Sequence, residues 1–429
     1  MAAPDSPAAA RTAPPWVAPL LARFRGVYRR PDGLLQIAVG PDGASVRDVP
    51  LIADFGDVLP FLDALGAHDI VDEQLRLAEP HLWRGLYRRD GRVRLFLNHD
   101  WLLGLFELGR TRPAALRMAR QASRALRDTF VRDGFLIDER PADVARAQLW
   151  PASPFNGGFA ELWVEEHHLT GEAAPLRAAV ALGEAWIGTE LFREHGLFGP
   201  QRSLRSPLVS RALARRSSLG ARLFKDNTNL VWGLLALAEA TGDDRWRAAC
   251  ERWLSGFVRR FLHRGVPVST VDRRLEPGPA TLKAAFASVD LLVDLDRAGV
   301  GEGRAREVAE EIAQAWIALQ WPNGLFPETP SADRDHLDAN VDMAVALVRL
   351  AAGSPNLADA LVAASMRCRE AILAHHPVSA GLALAVGRDG ELVDGTVLVK
   401  YQALATKLAL LPDDPAELDA ETDRLLRDR

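Results

Sequence analysis

Seven short segments of the form x-Gly-apolar-apolar recur along this 429-residue chain, each ahead of a helical pattern of apolar residues, although the second fits loosely because Arg92 is charged. Their glycines are Gly33, Gly91, Gly134, Gly196, Gly265, Gly324 and Gly381. By subtraction, successive glycines lie 58, 43, 62, 69, 59 and 57 residues apart. That period is too long for tetratricopeptide or ankyrin units and fits one helical hairpin plus one loop. We therefore predict a ring of helical hairpins with an open mouth.

The fourth repeat shows the helix signals most clearly. The polar run Asp226-Asn227-Thr228-Asn229 precedes an apolar helix pattern that ends at Thr241-Gly242, and a second pattern starts after Asp243-Asp244. Polar caps begin helices and glycine ends them. Because the turn between the two is short, the helices are expected to be antiparallel neighbours. First helices are rich in Ala and Leu and are predicted to be inner; second helices are amphipathic and are predicted to form an outer ring.

The predicted fold is an all-α toroid, (α/α)6 or (α/α)7, with short β-hairpins in its long loops. Segments 34–46 and 382–393 have the strand and turn pattern of such hairpins, flank the seam between the chain ends and could pair. The predicted domains are a disordered tail over 1–15, a single toroid over 16–411 and a C-terminal helix over 412–429 packed on it. Residues 202–222 are arginine-rich and are interpreted as a solvated loop or lid.

Composition narrows the range of functions. The net charge of −5 gives no basic field for nucleic acid or anionic lipid, and no apolar run reaches membrane-spanning length. Of 52 basic residues, four are lysine, which we interpret as a coding bias toward arginine. The two cysteines form no disulfide framework or zinc-ligand spacing, and there is no Gly-rich phosphate loop. We predict a cytoplasmic protein that uses no metal and no cofactor and binds neither nucleic acid nor membrane.

The long loops each join an outer helix to the next inner helix, so they fall on the face where the inner helices begin. Acidic residues on that face are the catalytic candidates, because two carboxyl groups cleave a glycosidic bond as acid and as base or nucleophile. Three of them lie within apolar helix patterns, where a carboxylate needs a partner or a function: Asp57, Glu161 and Asp342. Asp100 and Asp226 lie at helix starts, where an Asp also serves as a cap.

Aromatic and histidine side chains are predicted to accompany these acids. Trp faces stack on the apolar faces of sugar rings, and the loops carry Trp101, Trp150, Phe155, Trp321 and Phe326. His99 and His336 stand near helix starts and are candidates for substrate binding or proton transfer. We predict that these seven residues contact the substrate.

The chain resembles the six-hairpin glycosidase-like superfamily of (α/α) toroids from about Trp16 to Leu411. The resemblance is carried by the repeated inner helices, by the turns Thr170-Gly171-Glu172 and Thr241-Gly242-Asp243, and by the loop from Asn323 to Glu328. It implies a carbohydrate-active enzyme acting on a small-molecule or oligosaccharide substrate. The leading hypothesis is a glycoside hydrolase that uses two mouth carboxylates.

Three alternatives remain open. A sugar epimerase or isomerase would need His99 or His336 as proton carriers. A toroid that only binds a glycan or a protein would use its carboxylates as caps. A cyclase of an apolar substrate would have an apolar cavity with one acid at its floor.

Overall fold

The computed structural model describes residues 14–139, 151–201 and 219–427, with six single positions between 202 and 218. Within these residues, seven helical segments contact one another in sequence order, and the last contacts the first to close a ring. The predicted toroid is confirmed. The inner segments are Leu59–Ala64, His99–Gly109, Phe159–Thr170, Thr228–Thr241, Leu282–Arg297, Leu337–Ala351, and the pair Val399–Ala405 and Lys407–Leu410.

A second layer of helices surrounds this ring. Each follows an inner helix and packs against it: His68–Ala78, Pro113–Phe130, Ala173–Ile187, Asp244–Arg260, Arg304–Ile317 and Ala358–His375. All residues of the inner helix Leu337–Ala351 are buried, whereas the outer helices are buried on one side. The N-terminal helix Val17–Arg25 precedes Tyr28, whose hydroxyl donates to the Ala380 carbonyl at 2.6 Å and ties the chain ends together. A short helix, Glu190–His195, lies in a connection. None of the described helices is both long and apolar enough to span a bilayer.

The glycine markers form tight turns that follow the outer helices. Two-stranded hairpins occur at Leu82–Trp83/Leu86–Tyr87, Val131–Arg132/Phe135–Leu136, Leu262–His263/Val266–Pro267 and Pro377–Val378/Gly381–Leu382. In the second of these, Asp133 and Gly134 have φ values of 50° and 82°, the positive pair that a type I′ turn requires. A Cβ on Gly324 would lie 2.5 Å from the Arg367 carbonyl of the next outer helix. The turns at Gly134, Gly196, Gly265 and Gly324 therefore share a requirement, because each is pressed against the following helical hairpin.

One marker was misplaced in the sequence analysis. The turn that follows the first outer helix is at Gly85, where a Cβ would lie 2.8 Å from the Ala122 nitrogen. Gly91 lies farther along, in a separate turn between the bridged residues Arg89 and Arg92. Both glycines have positive φ, at 84° and 74°, so the local pattern does not distinguish them.

Amide side chains at the starts of inner helices clamp the marker segments. Asn340 Oδ1 accepts from the Phe326 amide at 2.8 Å, and its Nδ2 donates to the Phe326 carbonyl at 3.0 Å. The same two-sided contact joins Asn98 to Tyr87, Asn227 to Phe198 and Gln402 to Leu382. The capping expected of Asn227 is therefore wrong: the side chains of Asn227 and Asn98 make no capping bond at the described helix starts, because their amides are used between repeats.

Small sheets complete the fold at the seam. The two expected hairpins are present as Gln36–Val39/Ser45–Pro50 and Ala385–Val386/Leu392–Asp394. They do not pair with each other; instead Val397–Leu398 adds to the first, with Ala38 opposite Leu398. A further pair joins Leu219–Arg222 to Thr270–Asp272. The strand Val397–Leu398 leads directly into the inner helix Val399–Ala405, so ring closure positions that helix.

The two ends of the bore differ. We call the end where the inner helices begin the mouth and the opposite end the far end. The helix Ala420–Leu426 lies at the far end, where Asp423 contacts the fully buried Arg349 near the end of an inner helix. The predicted tail falls almost entirely outside the described residues, as does much of segment 202–222.

Candidate active site

The mouth contains a cavity of about 270 Å³. Charged side chains and one phenol dominate its polar lining: Asp54, Asp57, Asp338, Asp342, Lys225, Lys283, Lys400 and Tyr401. The carboxylates come from two places, the 3₁₀ segment Ile52–Asp57 and the inner helix Leu337–Ala351. The helix Val399–Ala405 contacts both and carries Lys400 and Tyr401 between them.

All four lysines of the chain are paired with aspartates in the bore. Lys225 lies 3.3 Å from Asp100, Lys283 lies 2.9 Å from Asp338, and Lys407 lies 2.7 Å from Asp342. The fourth, Lys400, contacts three carboxylates. Coding bias accounts for the scarcity of lysine but not for its placement. Lys283, Lys400 and Lys407 are not among the residues predicted from the sequence, although the rarity of lysine was the signal that could have found them.

Lys400 holds one group of acids together. Its Nζ lies 3.3 Å from Asp54 Oδ1 and 3.4 Å from Asp100 Oδ2, and it pairs with Asp57. Burial raises the pKa of Asp54, and the neighbouring Asp100 and Asp57 add to this against Lys400. Burial acts the same way on Asp100, but Lys225 and Lys400 outweigh it and hold the pKa of Asp100 well below its usual range. Two neighbouring carboxyls are thus pushed in opposite directions.

The second group of acids lies on the inner helix Leu337–Ala351. Asp338 pairs with Lys283 and His336 and hydrogen-bonds Tyr401. Burial opposes its ionisation, but His336 and Lys283 outweigh burial and lower its pKa. Asp342 lies one turn deeper, is 5% exposed and has its pKa raised by burial against the pull of Lys407. This wall also combines a carboxylate whose pKa is lowered with one whose pKa is raised.

The five catalytic candidates do not converge on one site. Asp57 and Asp342 line the mouth cavity, and Asp100 joins them through Lys225 and Lys400. Asp226 is buried in a separate environment beside Asp138 and Ser153, where burial raises its pKa to about 6. Glu161 lines a different cavity at the far end. Its expected place at the mouth is wrong, because its position on the inner helix directs the Glu161 side chain toward the far end of the bore.

Most of the aromatic candidates belong to the core. Trp101 is fully buried, donates from Nε1 to the Gly85 carbonyl at 2.8 Å and packs against Phe55. Phe326 is also fully buried and Trp321 is 7% exposed, so these three residues have no open face for a sugar. Their burial argues against the predicted contact with a substrate: Trp101 lies on the inner helix His99–Gly109, and Phe326 is held inward by its two hydrogen bonds with Asn340. Trp150 lies outside the described residues.

The two histidines occupy different depths. His99 is buried, with Nδ1 3.2 Å from Asp100 Oδ1 and its ring 5.1 Å from that of the partly buried Phe155. His99 therefore contacts the group formed by Lys400, Asp54, Asp57 and Asp100 from its buried side. His336 is partly exposed at the mouth, where it pairs with Asp338 and has its ring centroid 5.6 Å from that of Tyr401. Of the two, His336 has the better access to a substrate.

The far end contains a larger cavity, of about 700 Å³. Asp294 and Asp423, which line it, are held by arginines that lower both pKa values against the effect of burial. A general acid needs a carboxyl that keeps its proton near neutral pH. The mouth places Asp54 and Asp342, whose pKa values are raised by burial, beside ionised carboxylates, so it is the better candidate for an active site despite its smaller volume.

No protein-family model and no curated protein matches this chain. Solved structures are similar to it in fold. The α-1,2-mannosidase from Trichoderma reesei aligns with a TM-score of 0.66 at 14% identity, over 92% of this chain and 93% of the mannosidase. Cellobiose 2-epimerase from Bacillus thermoamylovorans aligns with a TM-score of 0.56 at 11% identity, over 91% and 98%.

An unsaturated glucuronyl hydrolase specific for heparin aligns with a TM-score of 0.51 at 11% identity, over 91% of this chain and 93% of the hydrolase. At these identities the likeness concerns the fold alone. The resemblance to six-hairpin glycosidase-like toroids is confirmed at that level. Within the described residues, the ring of this chain has seven inner segments.

Proposed function

We propose that this protein is a carbohydrate-active enzyme, a glycoside hydrolase that acts on a sugar unit in the mouth cavity. The observation that carries the proposal is the pairing of carboxyls with opposed pKa shifts on either side of Lys400 and Tyr401. Acid and base roles follow from environments that push pKa values apart. Structures of similar fold include a mannosidase and a glucuronyl hydrolase, which supports the class.

The roles divide according to charge and access. Asp54 has a raised pKa and a side chain that is 30% exposed, which suits a proton donor to the leaving oxygen. Asp338 stays ionised, which suits the base or nucleophile. Asp57 and Asp342 also line the cavity and hold Lys400 and Lys407 in place. The volume of about 270 Å³ lies just below the usual ligand range of about 300–1,000 Å³, so one sugar unit is the expected occupant.

The first experiment identifies the ligand class. Mono- and disaccharides, including uronic acids, are screened for a rise in melting temperature, since a ligand that binds only the folded state stabilises it. Sugars that raise it are then tested as glycosides for release of the reducing sugar. We expect Asp54→Asn and Asp338→Asn to lose about 10²–10⁴-fold in turnover, with melting temperatures close to that of the wild type.

Asp226→Asn is the matched control, because it alters a buried carboxyl with a raised pKa away from the cavity. Asp57→Asn and Asp342→Asn test the two cavity carboxyls that were catalytic candidates from the sequence. Full activity in both Asp54→Asn and Asp338→Asn would refute the assignment of roles, and full activity in all four mouth variants would refute the two-carboxylate mechanism.

One observation favours a second candidate, a sugar epimerase or isomerase. His336 pairs with Asp338 and faces Tyr401 at the mouth, an arrangement that suits proton transfer at carbon. A similar fold also occurs in cellobiose 2-epimerase. This activity would convert a free sugar without hydrolysis and incorporate deuterium from D₂O. Loss of turnover in His336→Gln with activity retained in Asp54→Asn would favour it.

A further inference from the structure

We propose that Lys400 is a positioning residue whose ammonium group is the resident cation of the Asp54, Asp57 and Asp100 group, in the place that a divalent metal ion would take. One oxygen from each of these three carboxylates lies within 4.8 Å of the others. Oxygens on opposite sides of a calcium ion, each about 2.4 Å from it, have about that separation. The three carboxylates thus have metal-ligand spacing, and the Lys400 ammonium group contacts all of them.

The chemistry of lysine fits this place. An ammonium group is a compact charge with three donors, whereas a guanidinium group is a planar fork suited to bidentate contacts. Three separate carboxylates around one point suit the compact ammonium group better than the planar guanidinium group. The chain uses arginine for 48 of its 52 basic residues, yet lysine stands here.

Closure of the ring brings the Lys400 ammonium group to the three carboxylates. Strand Val397–Leu398 pairs with Gln36–Val39 and enters the inner helix at Val399, immediately before Lys400. The Asp54 and Asp57 segment follows the other side of the same sheet, and Asp100 lies on the adjacent inner helix. The acids therefore come from the N-terminal part of the chain and their counter-charge from the C-terminal part.

Lysine at this position has a defined effect on the proposed enzyme. It keeps three carboxylates close together without a bound metal and leaves Asp54 on the cavity side. Any effect of Lys400 on turnover rests on the proposed function. Its role as the resident cation of the three carboxylates does not.

The test removes the ammonium group and offers a metal ion. Lys400→Ala and Lys400→Met are titrated with Ca²⁺ by calorimetry, and their melting temperatures are followed with and without the ion. We expect Ca²⁺ binding with a dissociation constant of about 1 mM or tighter, the weak end of oxygen-ligand calcium sites, and a Ca²⁺-dependent rise in melting temperature. The wild type should bind Ca²⁺ at least about tenfold more weakly, since Lys400 holds the place.

Two control variants test the geometry. Lys407→Ala frees the single carboxylate of Asp342 and should gain no Ca²⁺ site. Adding Asp100→Asn to Lys400→Ala should abolish the gain. If the Lys400 variants fold only when Ca²⁺ is present during refolding, the proposal is supported.

Failure to bind Ca²⁺ in folded Lys400 variants, failure to refold with the ion, or equal binding by the wild type would overturn it. These outcomes are independent of the proposed function, which fails if the wild type turns over no sugar.

Discussion

The mouth and the far end of the bore are both built from ion pairs, but with different cations. At the far end the fully buried Arg349 reaches Asp290, Asp294 and Asp423, and the last two contacts measure 2.7 and 2.8 Å. At the mouth the cations are lysines, each partly exposed at the cavity: the side chains of Lys225, Lys283 and Lys400 are 25%, 32% and 19% exposed.

This contrast separates a structural network at the far end from the network at the mouth, where we propose catalysis. Arginine forks bind several carboxylates at fixed angles and anchor the helix Ala420–Leu426 to the end of the bore. Lysines are point charges that leave room for a ligand and tune neighbouring carboxyls. We therefore expect mutations at the far end to act mainly on stability and mutations at the mouth mainly on turnover.

The largest effect is expected for Arg349→Met. It leaves three buried carboxylates without their shared cation, and breaking a buried pair costs about 3–5 kcal/mol. Urea unfolding measures the loss, and turnover per folded molecule should be unchanged. Arg369→Ala is the control, because its partner Asp413 is 85% exposed and the pair should contribute less than about 1 kcal/mol. An Arg349→Met protein with wild-type stability would show that the far-end network is dispensable.

A smaller loss at neutral pH, below the about 3–5 kcal/mol of a broken buried pair, is expected for Lys407→Met. The pair with Asp342 is nearly as buried as Arg349, but a single carboxyl with a raised pKa remains and can take up a proton. A raised folded-state pKa contributes stability below the unfolded value and loses it as pH rises. The variant should therefore be closer to the wild type at about pH 4 than at pH 7.

A double-mutant cycle with Asp342→Asn checks that interpretation. The double variant should be more stable than Lys407→Met alone, because no charge remains to be buried. An equally unstable double variant would mean that the lysine stem, not its charge, contributes the stability.

Asp423 should make the far end sensitive to acid. Burial opposes ionisation, but Arg349 and Arg297 lower the pKa of Asp423 from 3.8 to about 2. Stability from a depressed carboxyl is present above its unfolded pKa and is lost as pH falls through the folded value. We expect about 2 kcal/mol to disappear between about pH 4 and pH 2. Subtracting the pH profile of Asp423→Asn isolates this contribution, and identical profiles would contradict it.

The architecture was accessible from the sequence because its signals are local. Glycines with positive φ, short turns and the contrast between apolar and amphipathic helices predict the hairpins and their order. The error at Gly91 arose because two turns share that local pattern, and only the packing of Gly85 against Ala122 distinguishes them.

The site was less accessible because it depends on the direction of side chains across the closed ring. Asp57 and Asp342 were found from their charge in apolar surroundings, and the structure places both at the cavity. Trp101 and Glu161 have equally suggestive positions in sequence, but packing turns one into the core and the other toward the far end. The Lys400 group joins segments about 300 residues apart, which no local pattern reveals.

The smallest effect on stability is expected for Lys225→Ala, which tests the mouth most selectively. Its side chain is 25% exposed, so loss of the pair with Asp100 should change the unfolding free energy by less than about 1 kcal/mol. The same change removes one of two cations that keep Asp100 ionised, and the other, Lys400, also serves Asp54 and Asp57. Turnover of the proposed enzyme should fall about tenfold, equivalent to about 1.4 kcal/mol in the barrier.

Arg245→Ala on the outer ring, where Arg245 pairs with Glu184, is the control and should leave turnover unchanged. If Lys225→Ala lost stability but kept full turnover, the mouth lysines would be structural like the far-end arginines, and the distinction between the two ends would disappear.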